Sequence, residues 1–322
     1  MQSPASRDLI GRRSRMSQSS SGKRVHTTER DLLWFTKLAE HGPLPSSFLV
    51  AYSSTSHNSE KRAQERLTDL FHETNTLHGG QYLSRPPQQF RTIDSRYNQL
   101  VYDLAPGAKA ALADAGVQIK SARSGPWLHS LMISCITASI ELACIMREDL
   151  SYIPQSRILT RAGATLRWPT KITDPKSGAT YTKDLISDAI FGLEYLTRQG
   201  AKFRFFAVEA DRATEPATST NFNRKSFDRH LQQYREYVER RLYQEHLSLT
   251  APLLVLNVTT ELNRMRKMMR LTDELFSGAC NYQLFQCWQD FGPIFIPPKP
   301  FSGLLEEEWQ LSGRGSFNIG LL

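Results

Sequence analysis

Residues 202–216 read KFRFFAVEADRATEP. The run from Lys202 to Ala210 is apolar and aromatic with high β propensity, the composition of a buried strand. It delivers two carboxylates, Glu209 and Asp211, to its end; Arg212 and Glu215 follow before Pro216 stops the pattern. A buried strand ending in spaced acids can hold a divalent cation, because hard cations take oxygen ligands. The competing reading is a strand whose terminal acids are solvated.

The neighbouring segments give that strand a context. Upstream, a long helix is expected from about Trp127 to Asp149, apolar through Leu131, Ile133, Ile136, Ile140, Leu142 and Ile145. Glu141 sits inside it, where an unpaired carboxylate would be costly. Strand-like segments follow at Arg157–Trp168 and Leu185–Leu196. Downstream, a polar helix over Lys225–His246 carries Phe227, Leu231, Tyr234 and Val238 along one face. Ala251–Val258 reads as a short buried strand, and a helix follows over Glu261–Phe276. The expected order is helix, three strands, helix, strand, helix. It predicts an α+β or α/β domain over 127–280, a mixed sheet with helices on its faces. Met265, Met268 and Met269 read as core gap-fillers. Residues 281–322, with Trp288, Phe291, Phe295, Phe301, Trp309 and several prolines, are expected to cover a sheet edge or the core; docking a partner is the alternative.

The first 26 residues are Ser- and Arg-rich with few apolar groups, which predicts a disordered basic tail, either idle or holding DNA phosphates non-specifically. From Thr28 the pattern turns helical. Thr28 and Asp31 form a variant capping box, Leu32, Leu33, Phe35, Leu38 and Ala39 give an apolar face, and Gly42-Pro43 ends the helix. A short helix over Pro45–Tyr52 and a third one capped by Asn58 and running through Phe71 follow. Gly79-Gly80 turns the chain into two strand-like pieces, Gln81–Arg85 and Tyr97–Leu104, and Gly107–Ala115 is a further helix. Three helices and then a hairpin is the order of a winged helix-turn-helix, expected over 27–116, with 117–126 as a linker. Its third helix enters the major groove and its wing touches the backbone. Lys61, Arg62, Gln64 and Arg66 are the recognition-helix candidates, and Arg85, Arg91 and Arg96 the wing candidates; a merely solvated charged face is the competing reading.

Composition agrees with a polyanionic partner. The 322 residues carry a net charge of +8. Residues 1–125 hold 17 Lys+Arg against 11 Asp+Glu, so most of the excess lies in the N-terminal part. The hydrophobic share of 40% and charged share of 22% are ordinary for a soluble chain. No apolar run approaches the ~20 residues needed to cross a bilayer, and the N-terminus lacks the apolar core of a secretory signal, so cytoplasmic residence without a membrane partner is the expectation. Cys135, Cys144, Cys280 and Cys287 lack CxxC spacing and read as buried thiols.

The order of elements over 127–280 is that of the PD-(D/E)XK, or restriction-endonuclease-like, superfamily, and four acids fall at its positions. LISDAIFGLEYL places Asp188 where the superfamily has its Asp, with Ser187 replacing the usual Pro. Glu209-Ala210-Asp211 stands where E-x-K is usual, and Glu141 can complete the set. The resemblance implies a magnesium ion held by Asp188 and Glu209, orienting water for attack on a phosphodiester. The missing Lys leaves Lys225 or Arg229, at the start of the next helix, to take its place. The structural alternative pairs Asp211 or Glu215 with Arg212 or Arg229.

The whole arrangement also resembles the replication-relaxation family. Glu209, Asp211, Arg212, Thr214, Glu215 and Pro216 match that family's acidic segment, with Ala213 where it usually has Gly. RDLLWFTKLAEHGPLPSSFL, YDLAPGAKAAL and SFDRHLQQYREYV are similar as well, so the resemblance covers roughly residues 28–275. It implies a protein that binds double-stranded DNA on a plasmid or other mobile element, alone or with other replication or mobilisation proteins. A Mg-dependent endonuclease is the alternative function. A winged-helix transcription regulator with a sensing or dimerisation domain is a further one.

Overall fold

The computed structural model of the chain describes residues 13–54, 59–75, 77–117, 125–174, 177–213, 216–219, 224–278, 280–291, 295–313 and 315–322. The chain forms two compact units, Met1–Ala138 with Pro293–Pro300, and Ser139–Gly292 with Phe301–Leu322. The expected boundary at 117–126 therefore moves to 138/139, and the expected C-terminal extension is divided between the units.

In the first unit, α1 (Glu29–His41) begins at the expected capping box. The Thr28 side chain accepts from the Asp31 amide while Asp31 accepts from Thr28 N–H. Gly42, at φ 99°, ends it in a conformation that favours glycine. Then come β1 (Leu44–Pro45), α2 (Ser46–Tyr52) and α3 (Glu60–His72). The cap of α3 is Ser59, whose side chain accepts from the Arg62 amide; Asn58 lies outside the described residues. The hairpin strands are shorter than their β-prone sequence, β2 (Leu83–Ser84) and β3 (Val101–Leu104), because Pro86 and Pro87 have no N–H to extend the ladder. Two short 3-10 turns separate them, and β1 pairs with the other side of β3, giving the order β1-β3-β2. Helix α4 (Pro106–Asp114) follows. Trp34, Phe35, Leu38, Phe48, Leu67, Leu70, Tyr82 and Leu112 fill the core.

The tail is a correction from residue 13 onward. Buried Glu73 forms an ion pair with Arg13 at 2.7 Å and accepts from the hydroxyls of Ser20 and Ser21. Arg15 donates to the carbonyls of Arg96 and Asn98, Lys23 pairs with Asp69, and Val25 is buried. These charged anchors hold a segment with too few apolar groups to fold by itself.

Helix α5 (Trp127–Ile145) runs across the 138/139 boundary. It is long and apolar enough to cross a membrane, yet 78% of its most apolar window is buried inside the protein, as befits a core helix. The second unit continues with β4 (Leu150–Ile153), α6 (Gln155–Ala162), the paired strands β5 (Arg167–Thr173) and β6 (Thr180–Ile186), β7 (Ala189–Thr197) and β8 (Gly200–Asp211). The strand expected at Arg157–Trp168 is thus helix over its first half and enters β5 only at its last two residues. Pro154 precedes its first turn and Gly163 closes it at φ 62°, a helix punctuation that outweighs the Ile158-Leu159 pair. The strand expected at Leu185–Leu196 is broken at Ser187-Asp188.

The expected helix over Lys225–His246 is two, α7 (Phe227–Glu239) and α8 (Leu242–Leu247), separated where Arg241 takes φ 54°. Next come β9 (Leu253–Thr259), α9 (Leu262–Phe276), β10 (Gln283–Cys287), α10 (Gly303–Glu306), β11 (Trp309–Leu311) and β12 (Gly315–Phe317). One mixed sheet has the order β12-β11-β10-β9-β8-β7-β4. β7 runs antiparallel to both β4 and β8, β8, β9 and β10 run parallel, and β11 and β12 return antiparallel. The aromatic C-terminal segment therefore extends the sheet rather than merely covering it. Phe191 and Phe206 stack at 5.0 Å in the centre.

Candidate functional site

Two constellations stand out, one on each unit. On the first, α3 buries Ala63, Leu67, Leu70 and Phe71 and turns Lys61, Arg62 and Gln64 to solvent, with Gln64 donating to Glu60. Arg66 turns the other way. Its guanidinium donates to both oxygens of Asp31, which is 1% exposed, and to the His26 carbonyl. Burial opposes the Arg66 charge, and Asp31 more than offsets it, so its pKa rises. Arg85 is a second correction. It is buried 3.9 Å above the Phe71 ring and donates to the Tyr102 hydroxyl, so it is packing material. Arg91 and Arg96 are exposed between β2 and β3 as expected, and Arg96 lies 4.8 Å from the Tyr97 ring.

On the second unit the break between β6 and β7 and the end of β8 meet beneath α7. Ala189 is opposite Val208, so one further step along this antiparallel pair sets Asp188 opposite Glu209. Asp188 Oδ2 accepts from the Ala210 amide at 2.9 Å. Glu209 Oε1 accepts from the Tyr234 hydroxyl, which lies 2.9 Å from Ser187 Oγ. Glu209 Oε2 lies 3.6 Å from His230 Nδ1. Burial, then the nearby Lys225 charge, with Arg229 adding to it, push the His230 pKa down to about 4 against the pull of Asp188. The imidazole is therefore neutral at neutral pH. Burial and then Glu209 drive the Tyr234 hydroxyl well above its ordinary pKa.

Three of the residues read from the sequence, Asp188, Lys225 and Arg229, thus act electrostatically on His230, which lies beside a fourth, Glu209. Asp211 is withdrawn from this group. Its Oδ2 accepts from Arg264 Nε at 2.9 Å and Nη2 at 2.6 Å, and Oδ1 accepts from the Ala213 amide. That pair ties the end of β8 to α9. The expected structural partner for Asp211 was Arg212 or Arg229; it is Arg264. Glu141 is buried in α5, where burial and then its charge push the Cys144 thiol up to about 12. Thr214 and Glu215 lie outside the described residues. The cysteines are thiols, and three of the four are buried.

His230 and Tyr234 were missed because their positions read as helix surface and apolar stripe. The available signal was the i, i+4 spacing of two hydrogen-bonding rings on the face carrying Phe227 and Leu231. As a donor set for Mg2+, the ion implied by the nuclease resemblance, the Asp188 and Glu209 oxygens fit in kind, since that ion is held by one or two carboxylates plus water.

No curated protein and no solved structure matches the chain. The family model described as replication-relaxation matches residues 35–251, two thirds of the chain, from within α1 to the segment before β9. Helix α3 and the residues Asp188, Glu209, His230 and Tyr234 fall inside that stretch. The chain belongs to the replication-relaxation family.

Proposed function

We propose that the protein binds double-stranded DNA through its first unit, as an accessory factor in the replication or relaxation of a plasmid or other mobile element. Family membership supports a role related to replication or relaxation. The observation that carries the DNA-binding reading is the order α1–β1–α2–α3–β2–β3 with the sheet order β1-β3-β2, which supports reading the unit as a winged helix. In that reading α3 lies in the major groove with Lys61, Arg62 and Gln64 facing DNA, and Arg91 and Arg96 reach the backbone from the wing. Other replication or mobilisation proteins are its expected partners. The test is fluorescence anisotropy of a labelled duplex with the full chain across a salt series, beside Lys61→Ala/Arg62→Ala. Weaker binding with a shallower salt dependence supports the reading, and an unchanged curve removes it.

A second reading is favoured by the position of Asp188 against Glu209. In this reading the antiparallel set β4-β7-β8, connected through α7 to β9 parallel to β8, corresponds to a PD-(D/E)XK-like nuclease core. When bound, Mg2+ would polarise a phosphodiester and supply a metal-bound water. Asp188 and Glu209 would hold it, and Lys225 and Arg229 would face the substrate phosphate. Supercoiled DNA incubated with the chain and magnesium, beside Asp188→Ala/Glu209→Ala, decides it: nicking by the unaltered chain alone supports cleavage, and binding without nicking leaves the accessory role.

A further inference from the structure

We propose that Tyr97 stacks on an unpaired base, so that the first unit prefers a duplex interrupted by a short run of unpaired bases over a fully paired one. This rests on reading that unit as DNA-binding and adds a substrate feature to it. Tyr97 lies in the loop between β2 and β3 and is 75% exposed. The Arg96 guanidinium lies 4.8 Å from its ring centroid, so a cation sits against a ring that is otherwise largely in solvent. Arg91 is exposed in the same loop. Keeping a large ring in water gains the fold nothing, since the hydrophobic effect favours its burial.

The loop that carries the ring is tied down. The Arg15 guanidinium donates to the carbonyls of Arg96, at 2.7 Å, and of Asn98, gripping the backbone on both sides of Tyr97. Arg15 is fixed in turn: its own carbonyl accepts from Arg85 Nη1 at 3.1 Å, and Arg85 is buried against the Phe71 and Tyr102 rings, 3.9 and 5.1 Å from their centroids. At the base of the loop, buried Gln89 donates to the Val101 carbonyl at 2.9 Å and accepts from the Val101 amide at 2.8 Å. A loop ordered in advance loses less entropy when it binds. The groups around the ring select the partner. Arg91, Arg96 and, on α3, Lys61 and Arg62 attract phosphates. Cations that track a backbone beside an aromatic face that stacks on a base are how proteins hold single-stranded nucleic acid. In a paired duplex each base face is covered by its neighbours, so only unpaired bases offer one to Tyr97.

The full chain is titrated at one salt concentration against a labelled paired duplex and against the same duplex with a central run of unpaired bases, and binding is read by fluorescence anisotropy. Stacking on one base corresponds to about 5- to 150-fold in affinity, so the unaltered chain binds the interrupted duplex at least about five-fold more tightly. Tyr97→Ala brings the two affinities together, whereas Tyr97→Phe, which keeps the ring, retains the gap. Lys61→Ala/Arg62→Ala lowers both affinities alike. Equal affinity of the unaltered chain for the two duplexes, or a preference that survives Tyr97→Ala, overturns the assignment while DNA binding by the unit stands. No binding of either duplex by the unaltered chain overturns both readings.

Discussion

The two units use charge in opposite senses. In the first, the buried charges are structural: Arg66 with Asp31, Arg13 with Glu73, and Arg85 over Phe71. Its candidate binding groups, Lys61 and Arg62, are exposed. In the second, the candidate groups Glu209 and His230 are mostly buried, with 12% and 14% of their side chains exposed. A cation that reads a polyanion gains from reaching into solvent, because long-range attraction brings the partner in. Groups that hold an ion or move a proton gain from fixed geometry and low dielectric, which burial supplies. Removing one charge therefore has a different consequence in each place.

The largest effect is expected at Asp31. Asp31→Ala removes the capping box and strands the Arg66 guanidinium, costing about 3–5 kcal/mol. Urea unfolding measures it, and a loss below about 1 kcal/mol would mean that the buried charges of the first unit are not structural. Next is acid. The His230 pKa falls to about 4 on folding, from an ordinary value near 6.5, so the neutral imidazole is the folded form. Its contribution is fully present above pH ~6.5 and is lost as pH falls towards 4, by up to about 3 kcal/mol. His230→Gln flattens that part of the pH–stability curve; an equally steep curve in the variant would place the titration elsewhere.

Smaller in stability terms is the surface pair. Lys61→Ala/Arg62→Ala leaves the unfolding midpoint in place and reduces the salt slope of DNA binding by about 2. A destabilised variant would erase the contrast between the units. The smallest effect belongs to Ala213, held at φ 56° immediately after the acidic strand. Ala213→Gly relieves about 1–2 kcal/mol of left-handed strain against a larger unfolded-state entropy, for a net gain of up to about 1 kcal/mol. Thermal unfolding reads it, and a loss of stability would show that the turn tolerates its side chain.

What the sequence disclosed follows from how local each signal is. The Thr28–Asp31 cap and the apolar run into Glu209 are set by a few adjacent residues and are found where they were expected. The positive φ at Ala213 is a conformation that favours glycine, the residue expected there from the family resemblance. Arg66, Arg85 and Asp211 were assigned by charge alone. Their partners Asp31, Tyr102 and Arg264 are 35, 17 and 53 residues away, and only tertiary packing chooses among the carboxylates and rings within reach. The same distance in sequence hid His230 and Tyr234, whose role depends on α7 lying over β8. The helix at Gln155–Ala162 was missed although its Pro and Gly signals were local.

The segment around residues 293–300 has a consequence for the timing of synthesis. Gln99 donates to the carbonyls of Pro297 and Pro298, and Trp127 meets Phe295 edge-on at 5.2 Å, so the first unit is closed by residues from the other end of the chain. Translation at ~5–20 residues per second separates residue 138 from residue 300 by roughly 10–30 s. During that interval the first unit is on the ribosome without its last piece. The second unit waits as well, since β10, β11 and β12 come later than the strands they pair with. Both units thus reach their final form only near the end of synthesis, and a chain interrupted before residue 300 delivers neither.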